Sequence, residues 1–157
     1  MRRKDREVTD FKKIVFILND CDCCRLGLVD EKGRAYIVPM NFGTETDGER
    51  LSLYFHCANE GKKLDIMRAN SAVSFEADTK GELTKGDIAC AYSYNYRCVM
   101  GEGKAEILTD SDEKLRGLNS IMRCYSGKSD WEFLPEMLER VCVIRVRVDS
   151  LSCKEHM

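Results

Sequence analysis

Residues 53–70 read Leu53-Tyr54-Phe55-His56-Cys57-Ala58-Asn59-Glu60-Gly61-Lys62-Lys63-Leu64-Asp65-Ile66-Met67-Arg68-Ala69-Asn70. The stretch opens as a strand. Leu51, Leu53 and Phe55 alternate with Ser52, Tyr54 and His56, the period of a half-buried β-segment. It closes as a short helix, with Leu64 and Met67 three apart on one face. Between the two, Asn59 can cap a helix and Gly61 allows close backbone approach, while Lys62 and Lys63 fall where the helix dipole is positive. A lysine there opposes the dipole, so the pair calls for a reason. An anionic ligand such as a phosphate, held by backbone N–H groups and ammoniums, supplies one. A strand–loop–helix with solvated lysines is the plainer alternative.

Outward from this stretch, residues 9–20 read as a first helix, with Thr9 as N-cap and Phe11, Ile14, Val15 and Leu18 at helical spacing. Residues 24–29 form a first strand, and residues 30–34 a turn. Residues 35–42 form a second strand, whose Pro39 cannot donate to a ladder and so marks an edge, a bulge or a strand mouth. Asp47-Gly48 turns the chain into the strand at 51–56 as a hairpin. Beyond the central helix, residues 72–77 alternate as a strand and residues 79–86 read as a polar surface loop. The tyrosine-rich residues 88–96 have no clear phase. Residues 97–108 form a long strand interrupted by Gly101 and Gly103, which suggests a bulge. Asp110 or Ser111 caps a helix that runs to about Cys124. Residues 131–139 form a short helical piece around Pro135, and residues 141–148 close the pattern as a strand. Strands joined by hairpins and flanked by helices make an α+β chain, mainly β and antiparallel. No repeat or linker interrupts residues 1–157, which read as a single domain.

The balance of 25 basic against 27 acidic residues gives a net charge of −2, which argues against nucleic acid as a partner. No apolar run approaches a membrane span; the longest, from Ile14 to Leu18, is short. The basic start leads into no signal-like apolar region, so the expected location is the cytoplasm. Nine cysteines, an odd number, do not read as a complete disulfide framework. Most lie in apolar patterns, where reduced cysteine acts as a small hydrophobe. The cluster Cys21-Asp22-Cys23-Cys24 has no second pair at zinc-finger spacing, so no metal is expected.

The string Tyr54-Phe55-His56-Cys57-Ala58, then Glu60-Gly61, Lys63, Asp65 and Asn70, resembles the signature of the nitroimidazole-resistance proteins. These belong to the flavin-binding split barrels related to pyridoxamine 5'-phosphate oxidase. The resemblance extends through Val38-Pro39-Met40-Asn41-Phe42 and through residues 96–106, and so covers most of the chain. It implies a six-stranded antiparallel split β-barrel with flanking helices, a homodimer, and FMN bound between subunits. Two departures stand out: Cys98 where relatives commonly show serine, and Cys153-Lys154 where they often show a glycine before lysine.

His56 adjoins the candidate phosphate loop and can donate to a phosphate, ribityl or substrate oxygen; it is the catalytic candidate. A strand-end histidine with a structural hydrogen bond is the plain alternative. Lys63, matching the family's lysine, is the main phosphate ligand and Lys62 its helper. Glu60 should point away from the phosphate or cap the loop. The resemblance implies that Val38, Pro39, Met40 and Asn41 line the flavin ring, with Phe55 and Cys57 beside it. It also implies that Arg97 reaches the flavin of the other subunit; a surface strand arginine is the alternative. Trp131 could cover the pocket or serve a core or interface. The reading is an FMN-dependent oxidoreductase of the nitroreductase-like type, drawing on a nicotinamide donor and a small-molecule acceptor. A non-catalytic flavin- or haem-binding module is the alternative. Activity as a pyridoxamine 5'-phosphate oxidase fits less well, because the fuller arginine set for that substrate's phosphate is missing.

Overall fold

The computed structural model describes residues 2–157. Nine strands and four α-helices follow in chain order: β1 (Glu7–Val8), α1 (Phe11–Asn19), β2 (Cys24–Val29), β3 (Ala35–Met40), β4 (Phe42–Asp47), β5 (Arg50–Ala58), α2 (Lys62–Ala69), β6 (Ala72–Asp78), β7 (Glu82–Thr84), β8 (Ser93–Leu108), α3 (Ser111–Ser126), α4 (Pro135–Arg140) and β9 (Val141–His156). The strands pair in the order β3-β2-β6-β8-β9-β5-β4, with β1 added to β9 and β7 to β8. Every pairing is antiparallel.

One connection sets the shape. β3 and β4 are the two edges of this path, yet only Asn41 separates them. A single residue spans at most about 3.6 Å, so the edges must meet at that corner and the sheet must curl. It is rolled without closing, since among the described residues no ladder joins β3 to β4. The six-stranded barrel implied by the resemblance is therefore corrected to a nine-stranded sheet, while the α+β, mainly antiparallel class stands. The expected strand at 35–42 breaks at Asn41, and part of the expected 79–86 loop pairs with β8 as β7. Pro39 lies on edge strand β3, opposite Arg25 of β2, and edge strands are where a sheet tolerates proline.

Inside the roll, Leu26 and Leu28 of β2, Phe42 of β4, Leu53 and Phe55 of β5 and Ile144 and Val146 of β9 are fully buried. Ile14, Ile17 and Leu18 of α1 and Leu64, Ile66 and Met67 of α2 join the same core. Deleting a buried phenylalanine such as Phe55 would cost about 3–5 kcal/mol. α1 is capped by Asp10 rather than Thr9: its carboxylate accepts from the Lys12 and Lys13 amides at 2.9 and 3.4 Å. On the opposite face of the sheet, α3 sets Leu118 and Ile121 against Tyr54 and Val143, with Leu108 in the same cluster. Among the described residues no helix is long and apolar enough to cross a membrane.

The α3 contact leaves no room for a side chain at Gly43. A Cβ there would overlap the α3 backbone at Ser120 and Ile121. Gly43→Ala should therefore destabilise the fold by about 1–3 kcal/mol, read as a lower midpoint in chemical denaturation. Unchanged stability would mean that α3 does not sit this close to β4.

Candidate functional site

β5 sorts its side chains by alternation. Leu53, Phe55 and Cys57 face the roll, while Tyr54 and His56 face the other way. Tyr54 is buried beneath α3, and its hydroxyl donates to Glu45 at 2.8 Å. His56, two residues on, is exposed. The β4–β5 register pairs Phe42 with Phe55, so one step further Asn41 and His56 are neighbours at the open end of the hairpin. This corner is pinned from outside. The Tyr125 hydroxyl accepts the Phe42 amide proton at 3.2 Å and donates to the Asp22 carbonyl at 2.9 Å.

After β5 the chain leaves the sheet through Asn59. Its amide donates to the Glu139 carbonyl at 2.7 Å, tying the loop to α4 instead of capping a helix as expected. Gly61 takes that boundary position, with φ 134° and ψ 158°, a conformation essentially restricted to glycine. Its carbonyl accepts from Leu64 and Asp65. No side chain caps this end of α2. α1 and α3, by contrast, are capped by Asp10 and Asp110. The amides of Lys62 and Lys63 thus sit at a positive helix end without a capping acceptor. Glu60 is exposed beside them.

The two lysines part company. Lys62 lies 3.7 Å from Asp30 and over the Tyr36 ring, 4.6 Å from its centroid. It fastens α2 to the β2–β3 hairpin, which weakens the reading of Lys62 as a phosphate helper. Lys63 is half-buried and forms no ion pair with a carboxylate among the described residues. Its ammonium lies close enough to Cys57 to favour the thiolate.

Cys57 stands directly opposite Cys142 in the β5–β9 ladder. The neighbouring Cys142 thiol, aided by Lys63 and opposed by burial, lowers the Cys57 thiol from 9.0 to about 7. The facing Cys57 thiol and burial push Cys142 up. The positive charges of Arg68 and Lys114 act against that shift. Burial raises the other cysteines of the core, Cys21 to about 12 and Cys153 to about 11. Cys142 is the residue that sequence reasoning missed. It stood out only as a member of an apolar face, and its pairing with Cys57 needs the ladder register.

The remaining candidates divide. Val38, Pro39 and Met40 sit on β3 and lead into Asn41 beside His56, so they belong to the same corner; Met40 itself is buried in the core. Arg97 does not join them within one chain. It pairs with Glu155, whereas His56 pairs with Val143. Those partners stand a dozen residues apart on β9, or about 40 Å of strand. The Arg97 guanidinium is bound to Asp20 of its own chain. Trp131 is folded back on the end of α3, donating from its indole N–H to Ser126 at 3.1 Å and from its amide to Asn119 at 2.9 Å, with Lys128 over its ring. His156 ends β9 and contacts Ser93 at 2.9 Å. A cavity of about 580 Å³ lies on the outer sheet face between Arg25, Ile37, Phe75, Met100 and Leu151, and none of residues 58–63 lines it. Among the described residues no group of three or more His, Cys, Asp or Glu side chains is arranged to hold a metal ion.

Residues 11–155 match the sequence profile of the pyridoxamine 5'-phosphate oxidase family. Among solved structures, the chain is similar to a protein from Bacteroides thetaiotaomicron named for 5-nitroimidazole antibiotic resistance. The two share 32% identity over 94% of this chain and 85% of the other, with a TM-score of 0.82. The flavocytochrome Anf3 from Azotobacter vinelandii shares the fold at 19% identity, over 100% and 72% of the two chains, with a TM-score of 0.82. So does the FAD and heme binding protein from Mycobacterium smegmatis, at 15% identity, over 96% and 73%, with a TM-score of 0.81. Among curated proteins none matches.

The Cys57 environment can be checked directly. Alkylation of Cys57 by iodoacetamide, followed by peptide mass spectrometry, should be half-maximal near pH 7, because only the thiolate reacts. Lys63→Ala removes a neighbouring positive charge and should move that midpoint upward. A midpoint near 9 in the unaltered protein would place neither Cys142 nor Lys63 beside this thiol.

Proposed function

Because the chain belongs to the pyridoxamine 5'-phosphate oxidase family, we propose that it is an FMN-binding, homodimeric oxidoreductase of the nitroimidazole-resistance type. The observation that carries the reading is the start of α2. There an uncapped helix end, a backbone conformation reserved for glycine at Gly61 and a lysine without a carboxylate partner converge. These are the parts of a site for a terminal phosphate, where helix amides and an ammonium share one anion. A terminal phosphate suits FMN better than FAD, whose phosphates are bridged to a second nucleotide. Relatives of the same fold named for flavin binding support the cofactor class.

In this reading Lys63 and the amides at the start of α2 hold the phosphate, and Lys62 keeps the helix in place. Asn41, with the backbone of Val38, Pro39 and Met40, borders the ring, and His56 beside Asn41 presents a proton donor to the ligand or to a small acceptor. Bound flavin would supply the redox chemistry, taking a hydride equivalent from a nicotinamide and passing electrons to a small acceptor such as a nitroaromatic. The protein's part is to bind, orient and exclude water.

Two features favour a second copy. Arg97 can approach a ligand at the Lys63 end only from another subunit, given the length of β9 between them. The outer face around the 580 Å³ cavity also leaves Ile37 64% and Met100 37% exposed, apolar surface of the kind that marks an interface. The protein is expected to act in the cytoplasm.

The purified protein should carry or take up about one FMN per chain and sediment as a dimer, and Met100→Asp should shift it toward monomer. A charge-assisted hydrogen bond contributes roughly 1.5–3 kcal/mol, so Lys63→Ala should weaken FMN about ten- to a hundred-fold. Riboflavin, which lacks the phosphate, should bind the variant as it binds the unaltered protein. A colourless protein that shows no fluorescence quenching with added FMN would sink the cofactor claim, and equal losses of FMN and riboflavin would move the phosphate away from Lys63. A haem-type visible spectrum would favour the haem-binding alternative.

A further inference from the structure

We propose that Cys57 and Cys142 form a peroxide-reactive dithiol that closes to a disulfide across the β5–β9 ladder. Residues directly opposite on antiparallel strands have Cα atoms about 4.5–5.5 Å apart and side chains on the same face. Disulfides need about 4.4–6.8 Å between Cα atoms, so this register serves without moving backbone. All nine cysteines are free thiols, so both partners are available in the reduced state.

The two thiols are unequal in the way such chemistry uses. Cys57 is half-exposed and Cys142 is buried. The facing Cys142 thiol and the Lys63 charge favour the thiolate form of Cys57. A thiol with a pKa near the ambient pH is the best attacking species, since it combines a large thiolate fraction with retained nucleophilicity. Other buried cysteines, Cys21, Cys24 and Cys153, are pushed the opposite way by burial. The positive charges of Arg68 and Lys114 favour ionisation of Cys142.

The reaction balances with a hydroperoxide as the only oxidant. The Cys57 thiolate attacks the peroxide, the S–O bond forms, the O–O bond breaks and an alcohol or water leaves with a solvent proton. Sulfur gives up two electrons and becomes a sulfenic acid. The Cys142 thiolate then attacks that sulfur, the S–S bond forms, the S–O bond breaks, and the departing hydroxide takes up Cys142's proton as water. A small dithiol reverses the process by exchange.

The proposal does not depend on flavin and is tested on the protein as purified. Reduced protein treated with about one equivalent of hydrogen peroxide should lose two of its nine thiols and remain monomeric in chain mass on a denaturing gel. Peptide mapping should show residues 57 and 142 linked, and dithiothreitol should restore both thiols. With Cys142→Ala, dimedone should instead label a sulfenic acid at Cys57. If that variant fails to fold, the mapping on the unaltered protein decides alone. Oxidation that falls first on exposed Cys90, or that leaves 57 and 142 both reduced while other thiols are lost, overturns the proposal.

Discussion

The β8–β9 ladder is the interaction on which the rest of this molecule depends. Each strand is sixteen residues long, and β9 serves several neighbours at once. Its first half pairs with β5 and its end with β1, while β8 runs along the other side. A straight ladder of this length would hold the sheet open. The register shift at Glu102 and Gly103, where Asp149 is the extra residue on β9, lets the pair bend. That bend works with the one-residue link at Asn41 to roll the sheet around a core that α1 and α2 complete.

A long shared strand also separates what it joins. The His56 and Cys57 end of β5 meets the start of β9, while Arg97 and His156 sit at its far end. One chain therefore brings His56, Cys57 and the 58–63 loop together but leaves Arg97 beyond their reach, fixed to Asp20. Between these ends Arg145 links Glu106 on β8 to Glu113 on α3. Its half-buried guanidinium ties the outer helix to the ladder at mid-length. The face that α3 covers is thereby made rigid beside a corner that stays open.

Much of this was legible in the residues, for identifiable reasons. The β4–β5 hairpin, α1, α3 and the first half of β9 each carry a strong apolar period, and period is a local property. The loop at 58–61 announced itself through Gly61 and the two lysines. What could not be read was non-local. Residues 149–156 carry only the short alternation of Leu151 and Cys153, too little to mark a strand; they are one because β8 pairs along them and β1 adds a second edge at Cys153 and Lys154. The break at Asn41 looks like a continuous strand until the two edges of the sheet are seen to meet there. Asn59 reads equally well as a helix cap or as a tie to α4, and only the position of the Glu139 carbonyl decides. The Cys57–Cys142 pair depends on a register that joins segments far apart in the chain.

The different roles of two adjacent lysines follow from helix geometry. Successive residues on an α-helix point about 100° apart, so Lys62 and Lys63 at the first turn of α2 cannot share an environment. One faces the β2–β3 hairpin, where Asp30 neutralises it and the Tyr36 ring supports it. That contact opposes the electrostatic cost of lysine at a positive helix end and fixes where α2 begins. The other turns toward β5, where its charge is met by a thiol that ionises near neutrality rather than by a carboxylate. Among the described residues the uncapped amides and the Lys63 ammonium meet no carboxylate, so an added anion at this junction would displace no existing ion pair.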